Sequence, residues 1–347
     1  VFIYDQPPTW RSFVRVPFRD WLQVDGLRSM DSAIKSYLRN PKLRQFLGRF
    51  ATYVGASPYL APATLNVIAH VELNQGVWYP RGGIYQIAQA FSGLAAELGV
   101  QIHYQSQVAR IVVKNGQVKG VDLSTGKHIP AKQVISNLDA TSTHQILLGQ
   151  TDSPQKVEVS GSGFILLLGV SRQHPELAHH NIFFSGDYAR EFEQIFGQGV
   201  PADDPTIYAA ITSKTDSQHA PQGCENWFVL VNAPPLGHHY DWSSHADAYR
   251  QLLLNRLSAR GYDLRPALRY QAMITPKDLQ QETGGWLGAL YGASSNSRWA
   301  AFRRPNNRHK RIKGLYFAGG STHPGGGVPM VTLSGKVAAE MVLADSD

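Results

Sequence analysis

Short apolar runs of strand length recur along the chain and predict a protein with many short strands. They occupy residues 100–104, 108–113, 117–123, 134–136, 163–170, 207–212, 227–232 and 315–318. Asn115-Gly116 joins two of these runs and is a strong signal for a tight hairpin. The run over 315–318 is compact and wholly apolar, which is typical of a covered strand in a parallel sheet.

Helical periodicity fills the stretches between these runs. Helices are predicted over 28–50 with a break at Asn40-Pro41, over 62–73, over 84–98, from a Ser243 or Ser244 cap to Arg260, and after Pro329. The stripe of the 84–98 helix consists of Ile84, Ile87, Ala88, Phe91, Leu94, Ala95 and Leu98. Gly99 is expected to end that helix. For the helix over 62–73 we favour burial in the core over a role as the wall of an apolar channel.

The densest glycine cluster lies between the strand over 315–318 and the last helix. Five glycines and two prolines fall within thirteen residues there, and Pro329 suits the first turn of a helix. Glycine lets a backbone turn sharply and approach a ligand, and a helix start offers free N–H groups and a positive dipole end. The pattern favours a cofactor site, with a plain strand-to-helix connection as the alternative.

Composition narrows the class of protein and of its partners. The 347 residues are 43% hydrophobic and 17% charged, which describes an ordinary globular protein. The net charge of +7 favours an anionic partner: nucleic acid, an acidic lipid surface or the phosphates of a cofactor. The single cysteine, Cys224, excludes an intrachain disulfide. The chain opens on Val1, and we expect it to be part of a longer protein.

Metal, nucleophile and nucleic-acid chemistry receive little support. The adjacent pairs His179-His180 and His238-His239 are expected to point apart on regular structure, and no metal-ligand spacing occurs. No Gly-x-Ser-x-Gly motif is present, and no nucleic-acid-binding module is recognisable. The sequence therefore predicts neither a metal site nor a nucleic-acid partner.

The run from Leu315 to Met330, Leu-Tyr-Phe-Ala-Gly-Gly-Ser-Thr-His-Pro-Gly-Gly-Gly-Val-Pro-Met, resembles the closing FAD-binding segment of the phytoene desaturase family of carotenoid desaturases. The stretch Gly-Val-Trp-Tyr-Pro-Arg-Gly-Gly over 76–83 is similar to a second motif of that family. The resemblance implies FAD, and it places Val108 on the adenine. It places five residues along the isoalloxazine ring and ribityl chain: Gly319, Gly320, Gly327, Val328 and Met330. It also implies that the backbone N–H groups near Met330 and Val331 face the flavin O2.

The same resemblance implies a mixed α/β fold. It consists of a Rossmann-like FAD/NAD(P)-binding domain and a substrate domain of mostly antiparallel sheet with helices. The implied segments are 1–78, helical and facing substrate or membrane; 79–140, part of the FAD domain; 141–306, the substrate domain; and 307–347, the end of the FAD domain. The Gly-x-Gly-x-x-Gly fingerprint with which the family begins is missing, so the Rossmann-like domain is expected to be incomplete at its N-terminus.

The activity implied is that of an FAD-dependent carotenoid desaturase. The run over 49–58 resembles the branch that acts at C-3,4. Alternatives are a carotenoid ketolase or isomerase on the same scaffold, and a non-catalytic fragment that cannot hold FAD alone. Asp139, Glu72 and Glu282 are conceivable bases, with salt bridges the favoured role for each, so no catalytic residue is assigned. The expected partners are a carotenoid and, as electron acceptor, quinone or oxygen. Peripheral contact with the cytoplasmic side of a membrane is expected through the basic 28–50 region, for which a solvated face opposite a core stripe is the alternative.

Overall fold

The computed structural model describes residues 25–150, 158–237, 239–297 and 304–346. Its helices are α1 Met30–Tyr37, α2 Pro41–Gly48, α3 Asn66–Gln75, α4 Tyr85–Glu97, α5 Ala140–Ser142, α6 Tyr188–Phe192, α7 Trp242–Ala259, α8 Pro276–Thr283 and α9 Val328–Ala344. Its strands are β1 Val108–Lys114, β2 Gln117–Leu123, β3 His128–Pro130, β4 Val134–Ser136, β5 Ser162–Val170, β6 His180–Phe183, β7 Ile207–Ala210, β8 Glu225–Ala233, β9 Leu268–Ile274 and β10 Leu315–Phe317.

The chain divides into two compact units. The first unit consists of Val1–Ala69, Gln105–Ser162 and Leu279–Asp347, and the second of His70–Tyr104 and Gly163–Asp278. The four-segment division drawn from the sequence stays a prediction. Within the described ranges, no helix combines the length and the apolar content needed to cross a bilayer.

In the first unit, α1 and α2 form the expected broken helix. The break falls at Asn40, whose side chain accepts hydrogen bonds from the N–H groups of Lys42 and Leu43 and so starts α2. Pro41 follows at the first helical position, where its missing N–H costs nothing. Both the predicted helices and the predicted break are confirmed.

Two small sheets complete the first unit. The antiparallel sheet β1-β2-β3 contains the predicted hairpin, with Asn115 at φ 52° and Gly116 at φ 72°, as a tight turn between twisted strands requires. The second sheet pairs β4 with β10 in parallel, Val134 opposite Leu315 and Ser136 opposite Phe317. A shared core of apolar side chains lies against both sheets, and it includes Ile111, Val118, Ala140, Leu147, Ile312, Leu315 and Phe317.

The second unit is built on a five-stranded sheet in the order β6-β7-β8-β5-β9. The pairs β6–β7, β7–β8 and β5–β9 are antiparallel. Helix α7 packs on this sheet through Leu253, Leu254 and Leu257, in a core that also contains Trp227 and Trp242. The cap of α7 is Asp241, whose carboxylate accepts from the Ser243 N–H, so the predicted serine cap is wrong. An aspartate two residues earlier makes the same bond to the helix start.

Two other expectations fail for physical reasons. Residues 100–104 do not form a strand, because a strand needs a hydrogen-bonding neighbour and none of the described strands pairs with them. Core burial of the helix over 62–73 is wrong for most of it, since Ala69 is its one buried residue within α3. Apolar side chains surround α3, including Val67, Val71 and Leu73, so one packed side cannot bury them all.

Candidate functional site

The glycine turn, residues 319–327, begins at the shared edge of the parallel pair. Strands β4 and β10 both end there, and Asn137 donates from Nδ2 to the Ala318 carbonyl at 2.9 Å. A Cβ on Gly319 would lie 2.7 Å from the same Nδ2, and the left-handed φ of 121° at Gly319 also favours glycine at that position. Ligands of open parallel sheets bind outside the carboxyl ends of the strands. The turn therefore occupies the place where this fold type holds a cofactor.

A buried polar network holds the turn to its neighbours. Asn307 is fully buried, and its Nδ2, which carries two hydrogens, lies 3.0–3.1 Å from three acceptors: the carbonyls of Phe317 and His323 and the Ser334 hydroxyl. The Ser334 Oγ in turn accepts from the Gly319 N–H at 3.1 Å. One side chain thus ties β10, the glycine turn and α9 together. The buried Asn307 Oδ1 has no hydrogen-bond partner among the described residues, so the network is not fully paired, although its bonds restrict the conformation of the turn.

Tyr291 supports the turn from another side. A Cβ on Gly326 would lie 2.4 Å from Tyr291 Cδ1, and a Cβ on Gly55 would lie 2.8 Å from Cδ2 of the same ring. The ring therefore lies between two glycines and cannot retreat from either. This packing accounts for one of the glycines of the turn without reference to a ligand.

The open face of the site is the start of α9. Gly327 has φ 100°, a left-handed value that favours glycine, and a Cβ there would meet no atom within 4 Å. No side chain caps the helix, and Pro329 occupies its first turn. Pro329 has no N–H, and the Val331 N–H donates to the Gly327 carbonyl at 2.9 Å, so the implied role of the Val331 N–H toward the flavin O2 is wrong. The N–H groups of Val328 and Met330, with the dipole of this 17-residue helix, can receive an electron-rich carbonyl. An uncapped helix start beside unfilled space fits the edge of a flavin ring.

Asp139 lies next to this turn, as a residue following β4. Its Oδ1 accepts from the N–H groups of Thr141 and Ser142, and the Ser321 hydroxyl accepts from the Ala140 N–H at 3.0 Å. Burial raises the pKa of the Asp139 carboxyl, against the lowering effect of those hydrogen bonds. Asp139 therefore caps helix α5, and the bond from Ala140 to Ser321 anchors that cap to the glycine turn.

The remaining predicted residues lie elsewhere. Val108 is a half-buried residue of the β1-β2-β3 sheet, next to a register shift. Val328 is exposed at the start of α9, and Met330 is half-buried one residue beyond Pro329. Glu72 belongs to the second unit, and Glu282 is exposed on α8. The assignment of these residues to the cofactor or to proton transfer stays a prediction. One turn and helix start contains five of the predicted cofactor-binding residues: Gly319, Gly320, Gly327, Val328 and Met330.

Sequence reasoning missed two side chains at the site, Asn307 and Arg304. Arg304 donates from Nη1 to the Gly320 carbonyl at 2.7 Å and to the Tyr291 carbonyl at 3.0 Å. The Arg304-Pro305-Asn306-Asn307 run was a signal, because two amides and a cation just ahead of a buried strand are unusual on a plain connector.

The side chains of His179 and His180, in the second unit, lie against each other instead of pointing apart. The ring centroids of His179 and His180 are 4.3 Å apart, so the expectation for this pair is wrong. Strand β6 begins at His180, and strand alternation therefore does not separate the two side chains. His238 lies outside the described residues, and the prediction for the other pair stands untested. Within the described part of the chain, no three His, Cys, Asp or Glu residues are grouped to hold a metal ion.

Comparison with known proteins places this geometry in a family. The profile of the flavin containing amine oxidoreductases matches residues 15–160. A 1-hydroxycarotenoid 3,4-desaturase of Flavobacterium sp. is 37% identical over 343 residues, which is 98% of this chain and 69% of the relative. A 4,4'-diapolycopene oxygenase of Methylomonas sp. is 38% identical over 338 residues, 95% of this chain and 67% of the relative.

The chain belongs to the carotenoid desaturase family. It is an FAD-dependent oxidoreductase, and the glycine turn with its uncapped helix start suits that cofactor. A solved oxidoreductase of Methanosarcina mazei has the same fold, with a TM-score of 0.59, 16% identity and coverage of 96% of this chain and 73% of the other. The predicted family, the α/β FAD-binding fold and the cofactor are therefore confirmed. Two clefts of about 310 and 300 Å³ lie in the second unit and are lined by none of the predicted site residues.

Proposed function

We propose that the protein is a carotenoid desaturase that acts at the C-3,4 bond. The observation that carries the proposal is the 37% identity across 98% of the chain to a protein named 1-hydroxycarotenoid 3,4-desaturase. The glycine turn supports it, because its open, uncapped helix start suits a flavin ring. A bound flavin would accept a hydride, and this is the oxidation that the removal of two hydrogens from a carbon chain requires.

The residues of the chain contribute position and hydrogen bonding. The Asn307 and Ser334 network holds the glycine turn against α9, so the N–H groups at the helix start keep a fixed direction. Preorganised donors of this kind stabilise charge without rearranging during reaction. Asp139 is engaged by two backbone N–H groups. Its role in the proposal is to hold α5, and the group that removes the proton stays unassigned.

The test is to supply carotenoids to the expressed chain and to analyse the products by chromatography and mass spectrometry. A product two hydrogen atoms lighter, desaturated at C-3,4, supports the proposal. Gly327→Ala puts a methyl group into the open space at the helix start and also strains a backbone at φ 100°, and it is expected to weaken FAD binding about tenfold or more. The matched control is Gly335→Ala on the same helix, where a Cβ also meets no atom within 4 Å. Unchanged carotenoids with flavin bound would contradict the desaturase assignment.

A second candidate is a carotenoid oxygenase. The 38% identity to the 4,4'-diapolycopene oxygenase over 95% of the chain favours it on nearly equal terms. The same product analysis separates the two, because an oxygenase adds oxygen to the carotenoid and a desaturase removes hydrogen alone. A purified chain that binds no FAD in a titration would instead favour the non-catalytic fragment.

For the substrate to arrive, we propose peripheral contact with the cytoplasmic face of a membrane. Leu43 and Phe46 are exposed on α2 beside Lys42, and Tyr37 is exposed at the end of α1. Apolar side chains next to basic ones suit an anionic lipid surface. Lys42→Glu with Leu43→Gln is expected to lower sedimentation with phosphatidylserine vesicles, whereas Lys336→Glu on α9 is the control. Equal sedimentation of the unaltered protein and both variants would mean that α2 does not contact the membrane.

For the electron acceptor of the reaction we propose quinone or oxygen.

A further inference from the structure

Arg304 carries a desolvated positive charge beside the glycine turn. Its Nη1 donates to the carbonyls of Gly320 and Tyr291, and its Nη2 is 3.4 Å from the Ala293 carbonyl. A Cβ on Gly325 would lie 3.4 Å from Arg304 Cζ. The guanidinium is therefore fixed against the backbone on which the flavin is expected to lie.

No carboxylate neutralises this charge among the residues that the structure describes. Its hydrogen-bond partners there are three carbonyls and the Ser295 hydroxyl, and no ion pair within 4.0 Å includes it. Burial alone lowers the pKa of Arg304 to about 10, so the side chain stays charged at neutral pH. Arg308, four residues on, is the opposite case, because it is exposed and pairs with Asp345 at 2.9 Å.

Arg304 is half-buried, and taking a cation partly out of water without a counter-ion is costly for a folded protein. The cost is reduced whenever a negative charge forms nearby, because Coulomb attraction is strong where solvent is excluded. Uptake of a hydride adds one negative charge to the ring system of a flavin. That charge would form beside the glycine turn, to which Arg304 is bonded through Gly320.

We propose that Arg304 is a positioning residue that favours the reduced state of the flavin at the glycine turn. The two carbonyl bonds hold the turn, and the uncompensated charge stabilises the ring once it has accepted a hydride. The inference rests on the proposed flavin chemistry of the site, and it adds a residue that sets how readily the cofactor is reduced.

The experiment measures the midpoint potential of the bound flavin by spectroelectrochemistry and the Kd for oxidised FAD by fluorescence titration. In Arg304→Gln, the affinity for reduced FAD is expected to fall about tenfold more than that for oxidised FAD. For a two-electron couple this corresponds to a potential about 30 mV lower. Arg304→Lys keeps the charge, and its potential is expected to stay close to that of the unaltered protein. Arg308→Gln, which removes an exposed and paired charge, should change neither quantity.

Three results would overturn the inference. An unchanged potential in Arg304→Gln would leave the residue as a clamp for the turn and nothing more. A potential that falls equally in Arg304→Lys would assign the effect to the carbonyl bonds instead of the charge, and this variant decides the matter if the glutamine variant does not fold. An unaltered chain that binds no FAD would remove the proposed function as well, which distinguishes the two failures.

Discussion

Helices α9 and α4 were predicted from the same kind of apolar stripe, yet the structure treats them in opposite ways. In α9, Val337, Ala338 and Met341 are buried, and Val337 and Met341 lie against Tyr316 of β10. In α4 no residue is buried, and Phe91 and Leu94 are 55% and 51% exposed. Helix α4 ends at Glu97, close to the predicted stop at Gly99, and α9 begins at Val328, next to Pro329. The difference lies in what each helix packs against.

The comparison teaches what periodicity reports. A stripe of apolar residues shows that a helix has one oily side, but it does not say which element covers that side. For α9 the neighbour is β10, only a turn away in the sequence, so the partner follows from the local order of elements. For α4 the described residues supply no such neighbour. A contiguous exposed apolar surface of this kind is typical of an interaction surface.

The largest expected effect distinguishes the two helices directly. Met341→Ala should destabilise the first unit by about 3 kcal/mol, because it empties a buried position. Phe91→Ala on α4 should cost less than about 0.5 kcal/mol, since most of that side chain already faces solvent. Differential scanning calorimetry of both variants measures the contrast. Equal losses in melting temperature would show that α4 is covered in solution.

A second prediction sharpens the account of the glycine turn. Gly326→Ala should destabilise the protein by about 2 kcal/mol, because its methyl group meets a Tyr291 ring that Gly55 holds from the other side. Gly335→Ala in the interior of α9 should instead stabilise the helix by about 0.5 to 1 kcal/mol. Denaturant titration of the two variants provides the measurement. A harmless Gly326→Ala would mean that the ring is free to move.

Local signals predicted most of the fold. The Asn115-Gly116 hairpin, the break at Asn40-Pro41 and the strand that precedes the glycine turn depend on neighbours in sequence, and the structure contains all three. The failed strand over 100–104 is different, because a strand exists only when a distant segment pairs with it. The sequence of residues 100–104 does not show whether another segment pairs with them.

The candidate site divides in the same way. The glycine turn is recognisable from its composition, and its place at the end of β10 was predicted correctly. Asn307 and Arg304 were missed because their roles arise from contacts that the fold creates, such as the bond from Asn307 to Ser334 across 27 positions. A polar residue in a loop ordinarily faces water, and only the structure shows these two turned inward.

Two aspartates that cap helices provide the smallest expected effect and a last contrast between buried and exposed positions. Burial raises the pKa of Asp139, so its contribution to stability is present below pH 3.8 and is lost as pH rises through the folded-state pKa. Ionising this partly buried carboxyl therefore costs more in the folded state than in the unfolded chain. Asp139→Asn keeps the acceptor for both N–H groups and should stabilise the protein by roughly 1 kcal/mol or less at pH 7.

Asp241 at the start of α7 should show the opposite sign. The Ser244 hydroxyl lowers its pKa, with the Ser243 N–H contributing, so its stabilising effect is present above pH 3.8 and is lost as pH falls through the lower folded-state value. Asp241→Asn should therefore lower the melting temperature at pH 7. Both differences should shrink as the pH is lowered towards 4 and below, which melting curves over that range can follow. A loss of stability in both variants at pH 7 would mean that the helix start, which favours a negative charge, decides the sign instead of burial, and the contrast between the two caps would fail.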